Sequence, residues 1–222
     1  MEKQGMKFTA SYSGGKDSIL ALYRAIRQGM RPESLIITYR TDLDRSWFHG
    51  VPKELLQAVS AAIGLPIHRI ETTGQDYAER FIEELKRRKQ AGCEACVFGD
   101  IDIADHLAWC QDVCRSAGIK AVFPLWHEPR EALVRELIEA GFTARLTVVD
   151  TARLSQKHLS EVLSEPVLAA IEAEGADVCG ENGEYHSFVT DGPLFSHPVT
   201  VQFGAPFVQH GYAILPMTLP EP

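Results

Sequence analysis

The 222-residue sequence lacks any apolar run long enough to cross a bilayer, and its first residues lack the apolar core of a signal peptide. We therefore expect a cytoplasmic protein with no membrane partner. Basic residues are also too few to dominate, since 22 lysines and arginines stand against 30 acidic residues, for a formal net charge of −8. Because a broad nucleic-acid footprint needs a basic face, this balance argues against nucleic acid as a partner.

Cysteine is scarce, and its odd count argues against a disulfide framework. The five cysteines are Cys93, Cys96, Cys110, Cys114 and Cys179, and in a chain expected to stay in the cytoplasm they predict reduced thiols. The first four also allow a zinc or cluster site. We favour the alternative, because Cys96 opens an apolar strand while Cys110 and Cys114 fit helical spacing as small buried hydrophobes.

The stretch that organises the chain is residues 7–18, Lys-Phe-Thr-Ala-Ser-Tyr-Ser-Gly-Gly-Lys-Asp-Ser. An apolar, β-prone segment leads into paired glycines and then into an amphipathic run, which predicts a strand, a tight loop and a helix. Gly14 and Gly15 allow the backbone to approach a bound group closely, and the first amides of a helix have no partners within it. These amides and the helix dipole favour a phosphate at residues 13–18, which we call the phosphate loop.

Side chains of the loop add to this anion site. Ser13 and Ser18 supply hydroxyl donors, Lys16 supplies a positive charge, and we predict that Asp17 holds Mg²⁺ against the phosphate oxygens. An ordinary glycine turn with Asp17 or Ser18 as a helix cap is the alternative. We favour the phosphate site, because all six residues at positions 13–18 suit phosphate binding and stand between a predicted strand and a predicted helix. The spacing is neither that of a Walker loop nor that of a dinucleotide fingerprint.

Strands alternate with helices over the first 126 residues. The predicted strands are the apolar segment that starts at residue 7 and leads into the paired glycines, and residues 34–39, 65–71, 93–101 and 120–126. This alternation predicts an α/β fold with a doubly wound, Rossmann-like parallel sheet of five strands. Because ligands bind outside the carboxyl ends of such strands, we expect the phosphate-bearing ligand to contact four residues at strand ends, namely Ser11, Tyr39, Gly99 and Asp100.

Two further residues are predicted to face the substrate. His49 lies in the polar loop after the second strand, and Trp126 ends the fifth strand. A lone loop histidine is usually a surface residue, and this alternative stays open for His49.

The pattern changes near residue 128. Helical stretches at 129–140 and 155–174, the latter interrupted at Pro166, occur with strands at 142–150, 199–203 and 212–217. We therefore divide the chain into a phosphate-binding domain, residues 1–127, and a smaller α+β substrate subdomain, residues 128–222.

A second chemical cluster lies at residues 177–195. Its glycines and Pro193 predict a tightly folded loop, where functional groups often lie. The loop concentrates carboxylates, an amide, a phenol and an imidazole between glycines, which favours a site. The predicted catalytic residues are Glu181, Asn182, Glu184, Tyr185 and His186.

Two stretches resemble known signatures. The loop at residues 13–18 resembles the PP-loop of the N-type ATP pyrophosphatases, which cleave ATP between the α- and β-phosphates. Residues 180–195, Gly-Glu-Asn-Gly-Glu-Tyr-His-Ser-Phe-Val-Thr-Asp-Gly-Pro-Leu-Phe, resemble the second signature of the diphthine–ammonia ligase family. That family also carries the Ser-Gly-Gly-Lys-Asp-Ser loop, a stretch like residues 96–101 and a Pro-Leu-Trp like residues 124–126. The four matches follow in the same order and span most of the chain.

The resemblance implies a fold of the adenine nucleotide alpha hydrolase type and an amide ligase that uses ATP and Mg²⁺. It thereby implies that the ligand of the first domain, residues 1–127, and of its strand-end residues is ATP. ATP would activate a carboxylate as an acyl-adenylate with loss of pyrophosphate, and ammonia would then form the amide and release AMP. Glu181 and Glu184 are implied to bind the ammonium or take its proton. Asn182, Tyr185 and His186 are implied to orient the acyl group.

The resemblance implies an acceptor but leaves its identity open. It would be diphthine on a translation elongation factor or, in a bacterium, the carboxylate of a small metabolite. The sequence also leaves open a homo-oligomer.

Two other functions would use the same loop. A PP-loop tRNA-modifying enzyme also adenylates its substrate, but it needs a basic RNA-binding surface that the net charge of −8 does not favour. A non-catalytic nucleotide-binding module would explain the phosphate loop but not the polar cluster at residues 181–186.

Overall fold

In the computed structural model, the described residues are 5–43, 45–46 and 50–220. The strands, in chain order, are β1 (Lys7–Ser11), β2 (Arg31–Arg40), β3 (Arg45–Ser46), β4 (Ile67–Thr72), β5 (Ala95–Val97), β6 (Lys120–Val122), β7 (Thr143–Asp150), β8 (Tyr185–Asp191), β9 (Gln202–Phe203), β10 (Phe207–Gln209), β11 (Tyr212–Ile214) and β12 (Met217–Thr218). The helices are α1 (Lys16–Arg27), α2 (Lys53–Ile63), α3 (Tyr77–Gln90), α4 (Ala104–Ala117), α5 (Arg130–Glu139) and α6 (Glu165–Ala173), with a 3₁₀ turn at Gln156–His158. Among the residues described, no helix is both long and apolar enough to cross a membrane.

The chain forms two compact units, and each unit is made of three separate segments of the chain. The first takes its described residues from Met1–Ser13, Asp17–Gly50 and Leu65–Glu128, and the second from Gly14–Lys16, Val51–Gly64 and Pro129–Pro222. The middle of the phosphate loop, together with α2, thus groups with the second unit. The domain boundary between residues 127 and 128 stays a prediction.

The first unit is built on a parallel sheet. Within the described part of the chain, five parallel strands follow the order β4-β2-β1-β5-β6, and the short β3 runs antiparallel to β2. This arrangement confirms the predicted α/β fold and its five-stranded parallel sheet. In the central strand β1, Ser11 pairs with Ile36 of β2 and Ala10 pairs with Val97 of β5. The phosphate loop therefore leaves from the middle of the sheet.

Cysteines take part in a hydrophobic core of the first unit. Cys96, Cys110 and Cys114 pack there with Phe81 and Leu85. Burial raises the pKa of the Cys96 and Cys110 thiols, so both are neutral at physiological pH. This is the packing role that helical spacing predicted for Cys110 and Cys114. Over residues 5–43, 45–46 and 50–220, no cluster of three or more His, Cys, Asp or Glu side chains could hold a metal ion.

The second unit combines helices with antiparallel strands, as predicted. Its described strands form one sheet in the order β10-β11-β7-β8 and a separate pair, β12-β9. β7 and β8 pair from Thr143 opposite Asp191 to Val149 opposite Tyr185. Because β8 ends this order, it is an edge strand of the sheet.

Two predictions about local structure are wrong. Residues 185–191 were expected in a tightly folded loop, but they form β8, because Tyr185, Phe188 and Val189 are strand-favouring residues that are buried in the sheet. Pro166 does not interrupt a helix. It stands in the first turn of α6, where a helix needs no hydrogen-bond donor.

A buried histidine ties the 3₁₀ turn to the end of α6. His158 is 1% exposed, with Nδ1 2.6 Å from Glu161 Oε2 and Nε2 3.1 Å from Glu174 Oε1. Glu174 also lies 2.6 Å from the Lys157 ammonium and accepts from the Ser155 amide at 2.9 Å. The hydrogen bond from Lys157, followed by those from Ser155 and His158, lowers the pKa of Glu174 from 4.5 to about 2.

We expect Glu174→Gln to lower stability in a pH-dependent way. Folding depresses the pKa of Glu174, so its carboxylate stabilises the fold above the ordinary pKa of 4.5, and this contribution is lost as pH falls toward about 2. Free energies of unfolding of wild type and variant should therefore differ most near neutral pH and converge in acid. Glu172→Gln, at an exposed position of α6, is the control. A wild-type-to-variant difference that does not change with pH would contradict this account.

Candidate functional site

The phosphate loop begins where β1 ends and leads directly into α1. The Tyr12 amide donates to the Ile36 carbonyl at 2.8 Å, which extends the pairing of β1 with β2. The Ser13 amide and hydroxyl then lie 3.3 and 3.2 Å from Ser18 Oγ, so the two predicted hydroxyl donors are brought together. Asp17 is half-buried in the first turn of α1, where the helix dipole favours a carboxylate.

Gly99, after β5, lies against the start of α1. A Cβ at this position would lie 2.8 Å from the Asp17 carbonyl carbon and 2.9 Å from the Ser18 nitrogen, closer than real Cβ atoms approach backbone. Only glycine allows this contact. Two segments that were predicted separately to bind ATP therefore meet in the first unit.

A cavity of about 400 Å³ opens at the carboxyl ends of strands of the first unit. It is lined by Ser11, Gly74, Tyr77, Phe81, Phe98, Asp100, His106, Trp109 and Cys110. Its aromatic wall is closely packed, with the Trp109 ring centre 5.4 Å from that of Tyr77 and 5.2 Å from that of Phe81. The volume and the mostly apolar wall are typical of a small-molecule pocket. Two predicted ATP contacts, Ser11 and Asp100, are brought together here.

Asp100 places a carboxyl group in this cavity. Burial raises its pKa, and His106, whose Nδ1 lies 3.5 Å from Oδ1, acts in the opposite direction. The Cys110 sulfur lies 3.7 Å from Oδ2. Such a group can accept a hydrogen bond from a hydroxyl or amino group of a ligand.

The middle of the phosphate loop contacts β8, and both belong to the second unit. The Val189 amide donates to the Gly14 carbonyl at 2.9 Å, and the Lys16 amide donates to Ser187 Oγ at 3.3 Å. A Cβ at Gly14, where φ is +91°, would lie 3.0 Å from the Phe188 ring. Residues separated by 171 positions in sequence therefore lie side by side.

Lys16 and Tyr185 form a second contact between the loop and β8. Lys16 is 6% exposed, and its Nζ lies 5.5 Å from the centre of the Tyr185 ring, where the ring quadrupole favours a cation. The Tyr185 hydroxyl donates to the Val178 carbonyl at 2.7 Å, which fixes the ring. The predicted phosphate-binding lysine and a predicted catalytic residue are thus neighbours.

Glu184 holds together the loop that precedes β8. Its side chain is 5% exposed, and Oε1 accepts from the Asp177 amide at 3.4 Å and from Asn182 Nδ2 at 3.1 Å. Oε2 accepts from the Asn182 amide at 3.1 Å. In this geometry the Glu184 carboxylate accepts hydrogen bonds from its own loop. A catalytic role for Glu184 stays a prediction. Glu181 and His186 are half-buried, while Asn182 is exposed.

Arg130 is a residue of this loop region that the sequence analysis missed. It is the first residue of α5, and its Nη1 lies 2.5 Å from Asp177 Oδ2 and 3.1 Å from Asn182 Oδ1. A cation at a helix N-terminus is opposed by the helix dipole. The position of Arg130 just after Pro129 was therefore a signal that an anionic partner lies nearby.

The aromatic wall of the cavity was also missed. Tyr77 and Phe81 are four residues apart on α3, a spacing that places both on one face of a helix, and this was the available signal. Phe98 and Trp109 come from different elements, so their proximity depends on tertiary packing.

Two predicted site residues do not line the cavity, and a third cannot be placed. Tyr39 is 2% exposed, with the Arg69 guanidinium carbon 5.1 Å from its ring centre. Trp126 packs on Phe123 at 6.1 Å between ring centres, and neither Tyr39 nor Trp126 lines the cavity. His49 lies outside the described residues.

A Ser-Gly-Gly-Lys-Asp-Ser loop between the central strand of a parallel α/β sheet and its following helix defines a nucleotide-binding protein of the PP-loop type. Residues 6–121 match the diphthamide synthase N-terminal domain, and residues 129–214 match the diphthamide synthase C-terminal domain. The chain therefore belongs to the diphthamide synthase family, and the resemblance found in the sequence is confirmed.

Named relatives agree with this family. The chain is 27% identical to a diphthine–ammonia ligase of Rattus norvegicus over 96% of this chain and 89% of that protein, and the values for Homo sapiens are the same. A diphthine–ammonia ligase of Schizosaccharomyces pombe is 26% identical over 88% of this chain but only 36% of that protein. The chain is thus an enzyme of the ligase class.

Solved structures are also similar. One of them is described as a predicted subunit of tRNA methyltransferase from Methanocaldococcus jannaschii, is 16% identical with a TM-score of 0.46, and the alignment covers 87% of this chain and 100% of that one. A likeness at this level bears on neither fold nor function.

We expect Gly99→Ala to displace the first turn of α1. The added methyl group would overlap the backbone of Asp17 and Ser18, so ATP affinity should fall by about tenfold or more and stability by about 1–3 kcal/mol. Calorimetric titration and denaturant unfolding measure the two effects. Gly204→Ala is the control, because the nearest atoms to its Cβ would be those of the Pro216 side chain, at 3.2 Å and beyond. Wild-type affinity in Gly99→Ala would contradict the close approach.

We expect Glu184→Gln to destabilise the loop before β8. The new carboxamide nitrogen would face backbone and side-chain donors that now bind a carboxylate, so urea unfolding should show a loss of about 1–3 kcal/mol. The matched variant Glu181→Gln changes a half-buried carboxylate, and its free energy of unfolding should fall by less. Equal stabilities for the two variants would show that Glu184 does not hold the loop.

Proposed function

We propose that this protein is an ATP-dependent amide ligase that adenylates a carboxylate and transfers ammonia to it, with release of AMP and pyrophosphate. The observation that carries the proposal is the contact of Gly14–Lys16 with β8. This contact brings a phosphate loop next to the polar cluster of the second signature. An acceptor carboxylate has to reach the α-phosphate before ammonia can attack, so such proximity is a requirement of the reaction.

The nucleotide is assigned to two features. The terminal phosphates bind at the amides that follow Lys16 in the first turn of α1, with the Ser13 and Ser18 hydroxyls and the Lys16 ammonium as further donors. The adenine base enters the cavity lined by Tyr77, Phe98 and other aromatic rings, whose flat apolar faces suit a base. Asp100 then accepts a hydrogen bond from a polar edge of the nucleoside.

Asp17 is the residue that we assign to Mg²⁺. The described residues contain no cluster of three or more acidic, histidine or cysteine ligands. A single carboxylate fits Mg²⁺, which is commonly held by one or two carboxylates together with substrate phosphates and water. When bound, Mg²⁺ supplies charge neutralisation at the phosphate oxygens. Lys16 and the loop amides stabilise the departing pyrophosphate.

The chemistry proceeds in two balanced steps. An acceptor carboxylate oxygen attacks the α-phosphorus, and the bond from that phosphorus to the pyrophosphate oxygen breaks. Ammonia then attacks the acyl carbon, the bond from that carbon to AMP breaks, and a proton leaves the nitrogen. Glu181 and His186 are the residues that we assign to this proton, because they are half-buried and Glu184 is occupied by its loop. Asn182 and Tyr185, whose polar atoms are bonded within the protein, support the acyl site by fixing the loop and the Lys16 side chain.

The acceptor that we propose is a diphthine-type carboxylate on a translation elongation factor. Support comes from the names of the relatives, which are diphthine–ammonia ligases, and from their coverage of 96% of this chain. The carboxylate of a small metabolite is the alternative. An extract of the source organism, fractionated by size, separates the two, because a protein acceptor remains with the macromolecules.

We expect labelled pyrophosphate to exchange into ATP when acceptor is present and ammonia is absent. Adenylation is reversible, so the acyl-adenylate re-forms ATP from pyrophosphate. Added ammonia should consume the intermediate and release AMP. Ser13→Ala, which removes a donor of the loop, should slow the exchange by about tenfold or more without changing the melting temperature.

Two results would refute the assignment. ADP and phosphate as the products of the enzyme would exclude cleavage between the α- and β-phosphates. Exchange that needs no carboxylate would exclude an acyl-adenylate.

A further inference from the structure

β8 has an edge that does not face β7. Edge strands expose backbone groups that have no partner within the sheet. At this edge the Val189 amide is paired with the Gly14 carbonyl at 2.9 Å. The phosphate loop therefore takes, at one point, the place of a further strand.

Two side chains of β8 meet the same loop residue. Tyr185 and Ser187 are two positions apart, so they project from one face of the strand. The Tyr185 ring lies under the Lys16 ammonium at 5.5 Å, and Ser187 Oγ accepts from the Lys16 amide at 3.3 Å. Ser187 is 2% exposed, so its hydroxyl is shielded from bulk water. β8 thus touches both the backbone and the side chain of Lys16.

The partner strand is irregular at the same place. The register of β7 shifts between Leu146, opposite Ser187, and Val148, opposite His186, which leaves Thr147 as an extra residue. Such bulges change the direction of nearby side chains and are common beside functional sites. The irregularity therefore lies where Ser187 meets the loop.

We propose that Ser187 is a positioning residue for the phosphate loop, and that β8 thereby sets the affinity of the loop for the terminal phosphates of ATP. Lys16 is the first residue of α1, so its amide belongs to the turn that faces a bound phosphate. A fixed hydroxyl that holds this amide keeps the peptide plane oriented before the ligand arrives, which reduces the cost of binding. The inference rests on the proposed function, because it assumes that the amides that follow Lys16 in this turn bind ATP phosphates.

Binding of three ligands tests the role of Ser187 directly. ATP, pyrophosphate and AMP are titrated by calorimetry into wild type, Ser187→Ala, Ser187→Cys and Ser187→Thr. Ser187→Ala should weaken the binding of ATP and pyrophosphate by about tenfold. The affinity for AMP should be unchanged, because AMP lacks the terminal phosphates. Ser187→Cys keeps a side chain of similar size but replaces the hydroxyl oxygen with sulfur, which is a weaker hydrogen-bond acceptor. It should lose less affinity for ATP and pyrophosphate than Ser187→Ala does. Ser187→Thr keeps the hydroxyl and should restore affinity.

The matched control is Thr147→Val. It removes a buried hydroxyl from the neighbouring strand, where Oγ1 lies 3.5 Å from the His186 carbonyl, while keeping the volume. Its affinities should equal those of wild type. In the exchange assay, Ser187→Ala should raise the KM for ATP and leave the KM for the acceptor unchanged.

The outcomes separate this inference from the proposed function. A wild-type protein that binds neither ATP nor pyrophosphate would overturn both. If wild type binds ATP and a folded Ser187→Ala or Ser187→Cys binds it equally well, the positioning role fails and the proposed function stands. An equal loss of affinity for AMP and ATP in Ser187→Ala would also overturn the positioning role, because the contact would then affect binding of the whole nucleotide and not of its terminal phosphates.

Discussion

The hydrogen bond from the Val189 amide to the Gly14 carbonyl is the interaction on which the rest of the site depends. It satisfies a backbone donor at a strand edge and an acceptor in a glycine loop. Gly14 can make it because φ is +91° and because the Phe188 ring fills the space that a Cβ would need. Once Gly14 is fixed, the first turn of α1 follows, and with it the amides and the Lys16 side chain.

Local electrostatics at this loop oppose the charge of the whole chain. A protein with a net charge of −8 repels ATP at long range, but interactions between exposed charges fade beyond about 8–10 Å at physiological salt. Within that distance the helix dipole, the loop amides and a lysine that is 6% exposed act together. Burial of an ammonium is costly, and the Tyr185 ring offsets part of this cost.

Much of the fold, and the neighbourhoods of several candidate site residues, could be predicted from local signals. Paired glycines before an amphipathic run predicted the succession of strand, loop and helix around Gly14 and Gly15, and alternating strands and helices predicted the parallel sheet. β8 was missed because Gly183 and Gly192 suggested a loop, although Tyr185 and Val189 favour a strand. The contact of Ser187 with Lys16 could not be predicted, because 171 residues separate them and only the tertiary fold brings them together.

Transfer of oxygen from the acceptor to AMP tests the central claim most directly. With both oxygens of the acceptor carboxylate labelled with ¹⁸O, attack on the α-phosphorus places one labelled oxygen between the acyl carbon and AMP. Attack of ammonia at the acyl carbon then leaves that oxygen on AMP. The account predicts one ¹⁸O per AMP released and one retained in the amide, as measured by mass spectrometry. Unlabelled AMP, or label in inorganic phosphate, would contradict it.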